Sequence, residues 1–140
     1  MSDVDDRRKQ LVLRLFEAWS SGDADAPEPF LHPDVVLDDS VGGAHRGWPA
    51  VRDYFARGLA HWPDLELVPS GEWWSREDGL AFTWVMSATV HDDRFGKGTA
   101  GRRWQAPGMS FVVFDGDDLV VREVDYHDGG ARERSLRSTG

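Results

Sequence analysis

The spacing of apolar residues changes once along this chain, from a helical period near the start to strand-like segments in the second half. A spacing of three and four residues predicts a helix over residues 5–20, with Gly22 as its stop. A second helix is predicted to begin at Pro49 and to end before Pro63. The apolar face of the first helix consists of Val12, Leu15, Phe16 and Trp19. That of the second consists of Val51, Tyr54, Phe55, Leu59 and Trp62.

Between the two helices, the sequence predicts a short helical turn and one strand. Pro27 and Pro29 are tolerated only in the first turn of a helix, so any helix in residues 23–32 is short. The apolar residues 35–37 predict a strand. Four longer strands, separated by turns rich in Gly and Asp, follow the second helix. They cover residues 65–74, 80–90, 102–114 and 119–127.

Helices followed by long antiparallel hairpins define an α+β domain, in which one strongly curved sheet wraps on the N-terminal helices. Pro107 and Gly108 fall inside the third long strand and predict a bulge or kink there. A chain of 140 residues is expected to form one domain, with its core in residues 5–128. The polar segment 129–140 is expected either to be loose or to cap a pocket.

Composition narrows the function classes. The net charge of −9 argues against nucleic acid as a partner, because phosphate binding requires a cationic field. No apolar segment approaches the roughly 20 residues of a membrane-spanning helix, and the N-terminal residues lack a signal-peptide core. We therefore expect a cytoplasmic protein without a membrane partner. The absence of cysteine excludes disulfides, thiolate metal sites and a Cys nucleophile.

Seven tryptophans in 140 residues are a second compositional feature. An indole offers a large apolar surface with one N–H donor, which suits cores, interfaces and ligand pockets. Two interpretations stay open: the tryptophans fill the core and a dimer face, or two or three of them line a ligand cavity. The candidates for cavity walls or hydrogen-bond donors are Tyr54, Trp48, Trp62, Trp84 and Trp104.

Candidate chemistry is concentrated where the first strand ends, at Asp38 and Asp39. Asp and Ser favour turns because their side chains bond to their own backbone, so Asp38-Asp39-Ser40 can be a turn and nothing more. In the alternative interpretation, Asp39 faces an apolar cavity as a general base, while Asp38 points the other way. Burial there is expected to raise the pKa of the Asp39 carboxyl toward neutrality.

Residues 34–59 resemble the ketosteroid isomerase branch of the SnoaL-like and NTF2-like superfamily. In that family an acidic strand end followed by Asp-Pro-Val-Gly carries the catalytic carboxylate, and Gly-x-x-Ala-(Ile/Val)-Arg opens the next helix. The matching residues here are Asp39-Ser40-Val41-Gly42 and Gly47, Ala50, Val51 and Arg52. The resemblance covers nearly the whole chain and implies a cone-shaped fold with a pocket at its open end. It also implies Asp39 as the base and a homodimer formed through the outer sheet face.

The last predicted strand carries a second candidate group. Period two places Val121, Glu123, Asp125 and His127 on one face, and alternating ionisable groups are typical of a solvated strand face. However, Val-Asp-Tyr-His-Asp is similar to the Arg-Asp-Tyr-Phe-Asp signature of limonene epoxide hydrolase, and SnoaL-type polyketide cyclases keep an acid/base Asp on a late strand. This resemblance implies a catalytic Asp125, with His127 as a proton donor or a tuning group.

Departures from these families limit the expected reactions. The epoxide hydrolase relay needs an Arg and a second Asp at positions that here are Val85 and Ser87, which disfavours that reaction. The isomerase's oxyanion donors fall near residues 15–16 and 109–110, where only Ser110 can donate, and weakly. No phosphate-binding Gly loop or dinucleotide fingerprint is present, and the five histidines lack helical ligand spacing. We therefore predict neither a cofactor nor a metal.

The sequence thus predicts a small-molecule enzyme that performs acid/base chemistry without a cofactor on a largely apolar carbonyl compound. The reaction would be an isomerisation, an aldol-type cyclisation or a dehydration, with Asp39 as the preferred base and Asp125 as its partner or alternative. The competing hypothesis is a non-catalytic module that binds a ligand or dimerises. An open apolar cavity that holds both carboxylates would favour the enzyme, and one filled by tryptophan would favour the scaffold.

Overall fold

The computed structural model describes residues 2–137 of the chain, and its helices and strands follow the sequence pattern closely. The elements in chain order are α1 (Asp3–Trp19), a 3-10 turn (Glu28–Phe30), β1 (Leu31–Asp39), β2 (Gly43–Arg46), α2 (Trp48–His61), β3 (Glu66–Arg76), β4 (Gly79–Thr89), β5 (Arg103–Phe114), β6 (Val120–His127) and α3 (Ala131–Arg137). The two predicted helices and four long strands are confirmed. Strand β1 is longer than predicted, and the four-residue strand β2 was not predicted.

Helix α1 begins with a reciprocal cap. Ser2 Oγ accepts from the Asp5 N–H at 3.1 Å, and the Asp5 carboxylate accepts from the Ser2 N–H at 3.3 Å. This capping box satisfies two backbone donors that a helix start leaves without partners. The apolar face of α1 then packs on the sheet, where Val12 and Leu15 are fully buried and the Phe16 ring meets Phe82 edge-on at 4.9 Å.

The six strands form one sheet in the order β2-β1-β6-β5-β4-β3. Strand β6 pairs in parallel with β1 and antiparallel with β5, so it joins the two parts of the sheet. The register sets Asp39 of β1 beside Asp125 of β6. On the other side of β6, Asp125 lies beside Ser110 of β5. Side chains of register partners lie on the same face of a sheet, so these three polar residues adjoin one another.

The predicted bulge at Pro107 and Gly108 is wrong, because both residues pair with β4 in unbroken register. Gly108 has a different role. A Cβ atom added there would lie 2.4 Å from the Trp84 indole, far inside contact distance. Pro107 lies one residue beyond the β5–β6 ladder, so its missing N–H leaves no gap in that ladder. The irregularity between β5 and β6 occurs instead between Val113 and Phe114.

The segment after Gly129, expected to be loose or a cap, forms helix α3 over Ala131–Arg137, so a loose tail is wrong for these residues. The helix docks on β5, with Leu136 only 3% exposed. The Gln105 N–H also donates to Ser135 Oγ at 3.0 Å. Residues 138–140 lie outside the described part of the chain.

The curved sheet contains both parallel and antiparallel strand pairs, and helices cover its inner face. This arrangement confirms the predicted α+β class. The outer face of the sheet keeps large apolar side chains in solvent. They are Val68 (53% exposed), Trp74 (52%), Met109 (38%) and Tyr126 (51%). Within residues 2–137, none of the helices combines the length and apolar character that crossing a bilayer requires.

Candidate active site

A cavity of about 410 Å³ lies between the helices and the inner face of the sheet, within the size range of small-molecule sites. Its apolar wall includes Phe16, Trp19, Leu37, Phe55, Trp62, Trp84 and Met86. Its polar groups include Asp39, Tyr54, Glu123, Asp125, His127 and Arg132. The cavity is therefore open and is not filled by tryptophan side chains.

Asp39, at the end of β1, is held by four donors. Its Oδ1 accepts from the Val41 N–H at 2.8 Å and the Gly42 N–H at 3.1 Å, which makes the predicted turn. The same oxygen lies 2.9 Å from His127 Nε2. Its Oδ2 accepts from the Tyr54 hydroxyl at 3.1 Å. Both interpretations of Asp39 therefore apply at once, because the residue forms a turn and also lines the cavity.

The expected rise in the pKa of Asp39 is wrong. Burial by itself raises the pKa, but the hydrogen bonds from His127, Val41 and Gly42 stabilise the carboxylate and together outweigh burial. The result is a pKa lowered to about 2. Asp39 is therefore ionised throughout the neutral range and is a weak base.

Tyr54 reaches Asp39 because glycine stands at position 42. A Cβ atom on Gly42 would lie 2.0 Å from the Tyr54 hydroxyl oxygen, so any larger residue would displace the phenol. The Tyr54 ring also stacks on His45, with ring centroids 4.0 Å apart. Burial and the neighbouring Asp39 carboxylate raise the pKa of Tyr54. The phenol therefore keeps its proton at neutral pH.

His127 presents one nitrogen to Asp39 and leaves the other free. Its side chain is 3% exposed. Because Asp39 is an ionised acceptor, the His127 Nε2 that faces it carries a proton. The second ring nitrogen, Nδ1, is buried and has no hydrogen-bond partner within residues 2–137.

Asp125 is oriented by a chain of two hydrogen bonds that starts at the cavity wall. The Trp84 indole N–H donates to Ser110 Oγ at 2.8 Å. The Ser110 hydroxyl in turn donates to Asp125 Oδ1 at 2.5 Å. Ser110, which sequence analysis made a candidate substrate-binding donor, is fully buried, and its proton is already committed to Asp125. It is not among the residues that line the cavity.

Asp125 shares its environment with a second carboxyl group, Glu123. Burial raises the pKa of Glu123, and the charge of Asp125 and a hydrogen bond to Asp125 raise it further. Burial also raises the pKa of Asp125, although hydrogen bonds from Glu123 and Ser110 oppose the rise. Both pKa values are therefore raised, because the buried pair favours a state in which the two carboxyl groups hold one proton between them.

A solvated face on β6 is wrong, because Glu123 is 3% exposed and both Asp125 and His127 line the cavity. Glu123 was placed on the correct face by period two, but it was not chosen as a site residue. The Trp19 indole N–H donates to Glu123 Oε1 at 3.3 Å. The sequence predicted Trp19 only as part of the apolar face of the first helix.

The structure divides the predicted aromatic residues into two groups. Tyr54, Trp62 and Trp84 line the cavity, whereas Trp48 and Trp104 do not. Trp104 is fully buried behind Trp62, with ring centroids 5.1 Å apart. Trp48 is half-buried and packs against the core at the start of α2. Periodicity alone could not separate these residues, because the rings of Trp62 and Trp104 belong to elements far apart in sequence.

Arg132, on α3, lines the cavity without having been predicted. Its segment is polar apart from Ala131 and Leu136, which are buried, and their separation of five residues does not indicate a helix. Across the described residues, no cluster of three or more His, Asp or Glu side chains is arranged to hold a metal ion.

The sequence matches the model of the SnoaL-like domain over residues 12–123, which is most of the chain, so the protein belongs to the SnoaL-like domain family. The resemblance inferred from the sequence is thereby confirmed. The matched region ends before Asp125 and His127. No curated protein matches the sequence.

Solved structures with the same fold have low sequence identity to this chain. A candidate polyketide cyclase from Acidithiobacillus ferrooxidans is 21% identical, with a TM-score of 0.80 and full coverage of both chains. AclR, a candidate hydroxylase from Streptomyces galilaeus, is 22% identical with a TM-score of 0.74, over 96% of this chain and 98% of AclR. TerC, crystallised with polyporic acid, is 14% identical with a TM-score of 0.73, over 93% of this chain and 98% of TerC. At these identities the comparison establishes the fold.

Proposed function

We propose that this protein is an enzyme that moves a proton at a carbon next to a carbonyl group, in a small and largely apolar substrate, without a cofactor. The observation that carries the proposal is a pair of neighbouring carboxylates with opposite pKa shifts on one cavity wall. The pKa of Asp39 is lowered to about 2, whereas that of Asp125 is raised. Opposite pKa shifts on two neighbouring carboxyl groups are typical of sites in which one group stays charged and the other exchanges protons.

Asp125 is the general base in this proposal, and Asp39 is a positioning residue. The Asp125 carboxylate removes the proton from the substrate carbon, and Ser110 and Glu123 hold the carboxylate in place. His127 Nε2 lies 2.9 Å from Asp39 Oδ1, so Asp39 fixes the imidazole on the cavity wall beside Asp125. Return of the proton to a different carbon completes an isomerisation. Attack of the enolate on a second carbonyl within the molecule gives a cyclisation.

A small organic ligand suits the cavity, because its lining combines apolar side chains with several convergent polar groups. TerC, which shares the fold, binds such a molecule in its crystals. A non-catalytic ligand-binding module is the second candidate, since the same cavity serves both functions.

Proton exchange tests the chemistry without knowledge of the natural substrate. An apolar cyclic ketone such as α-tetralone is incubated with the protein in deuterium oxide, and loss of the proton signal next to the carbonyl is followed by NMR. We expect exchange to be faster than in buffer or with serum albumin at the same concentration. Ketone binding without accelerated exchange would favour the ligand-binding module instead.

A homodimer through the outer sheet face accompanies the proposal. Trp74 and Tyr126 are each about half exposed on that face, and Val68 and Met109 extend the apolar patch. Light scattering after size exclusion should give twice the monomer mass of 15.7 kDa. Replacing both Trp74 and Tyr126 by glutamate should shift the mass to the monomer value, because burying two carboxylates opposes association. A wild-type mass of 15.7 kDa would contradict the dimer.

A further inference from the structure

Arg132 places a positive charge at the cavity from the C-terminal helix. It is the second residue of α3, it is half-buried, and its side chain lines the same cavity as Asp39 and Asp125. The other arginine that lines this cavity, Arg57, is exposed at its position on α2. Arg132 is therefore the less solvated of the two cations, and its interactions are less screened by water.

Two aromatic rings hold the Arg132 guanidinium. Its central carbon lies 4.9 Å from the Trp104 ring centroid and 5.8 Å from that of Trp62. A guanidinium attracted to the faces of aromatic rings forms no conventional hydrogen bond with them, so its N–H groups keep their capacity to donate elsewhere. The tryptophans therefore orient the group without using its hydrogen-bonding capacity.

Arg132 has no acidic partner within the described residues 2–137. Seven other arginines form ion pairs with Asp or Glu, but Arg132 forms none. Its buried Nε also has no hydrogen-bond partner in that range. A partly buried charge without a partner is costly, so an unpaired guanidinium at a cavity is typical of a site completed by a ligand.

The carboxylates of the cavity do not fill this role. Asp39 acts electrostatically on Arg132 but already accepts from His127, Tyr54 and two backbone N–H groups. Asp125 accepts from Ser110 and shares a proton with Glu123. A molecule that occupies the cavity is therefore a candidate acceptor for Arg132.

We infer that Arg132 forms an anion subsite, and that the natural substrate carries a carboxylate on an otherwise apolar body. The terminal N–H groups of the guanidinium would donate to the carboxylate, while Trp62 and Trp84 contact the apolar body. This inference rests on the proposed function, because it names the substrate class of the same cavity. It makes Arg132 a binding residue that selects and orients the substrate, with Asp125 left to exchange the proton.

Two probes of equal shape test the subsite by isothermal titration calorimetry: naphthoate, which carries a carboxylate, and naphthylmethanol, which is neutral. We expect the wild-type protein to bind naphthoate roughly 10- to 100-fold more tightly, the range given by hydrogen bonds to a charged group. Arg132→Gln should abolish this preference while binding naphthylmethanol as before. Arg132→Lys should keep part of it, because the charge remains but the planar fork is lost.

A matched variant locates the effect. Arg137→Gln removes the same charge from an exposed position on the same helix and should retain the preference. Thermal melting checks that each variant folds. A wild-type protein that binds naphthoate no more tightly than the alcohol, or a preference that survives Arg132→Gln, would overturn the inference. Exchange of α-tetralone protons is measured separately, so failure of the anion subsite and failure of the proposed chemistry are distinguishable.

Discussion

Replacing Asp125 by asparagine is expected to reduce the rate of α-tetralone proton exchange by about 10²- to 10⁴-fold, the usual contribution of a general base. The substitution retains an oxygen that accepts from the Ser110 hydroxyl, so the hydrogen-bond chain from Trp84 persists. It also removes a buried charge and leaves an amide that can pair with the Glu123 carboxyl group. The melting temperature should therefore be unchanged or higher, and the lost rate can be assigned to lost basicity.

Two neighbouring aspartates on β1 provide the comparison for Asp125→Asn. Asp38→Asn serves as the matched control, because Asp38 precedes the site by one residue and does not line the cavity. It should leave exchange unchanged. Asp39→Asn should weaken exchange less than Asp125→Asn does, since a carboxylate with a pKa of about 2 is a poor proton acceptor at neutral pH. A larger loss in Asp39→Asn than in Asp125→Asn would transfer the role of base to Asp39.

Glu123→Gln is expected to stabilise the protein, with an effect that grows as the pH rises. Because burial and the charge of Asp125 raise the pKa of Glu123, the folded protein holds a proton there that the unfolded chain releases above its ordinary pKa. The stability that depends on this proton is complete at acidic pH and is lost progressively toward alkaline pH. Glutamine keeps the oxygen that accepts from Trp19 and an N–H that faces Asp125, without any charge to bury.

The measurement is the melting temperature of Glu123→Gln and wild type at pH values from about 4.5 to 8. At the alkaline end we expect the variant to melt roughly 3–6 °C higher, which corresponds to about 1–2 kcal/mol in a domain of this size. The difference should shrink toward the acidic end. Glu72→Gln, on an exposed position of β3, should show no such dependence. A difference independent of pH would mean that Glu123 does not titrate between these limits.

The secondary structure was readable because most elements follow simple periods. Helices α1 and α2 show apolar spacings of three and four residues, and their Gly and Pro boundaries lie close to the observed ends. Strand β2 was not predicted because its four residues, which begin at Gly43, show no apolar alternation. The wrong prediction of a bulge at Gly108 has a different origin. A glycine that leaves space for an indole from another strand cannot be distinguished in the sequence from a glycine at a bulge.

The site was predictable in its members and less so in its electrostatics. Asp39, Asp125 and His127 were chosen from a family resemblance and a period of two, and the structure places all three on one cavity wall. Asp39 and Asp125 adjoin each other because β1 pairs in parallel with β6. The two residues lie 86 positions apart in the sequence. The sign of the Asp39 pKa shift depends on donors that converge only after folding. Arg132 gave no local signal of chemistry at all.

The place of β6 between β1 and β5 has a consequence for biosynthesis. Of the six strands it is the last to leave the ribosome, yet it fills the middle of the sheet. Until it emerges, β1 and β5 both present unpaired edges, which can recruit strands from other nascent chains. We therefore expect the growing polypeptide to depend on chaperones that shield such edges until β6 has been translated.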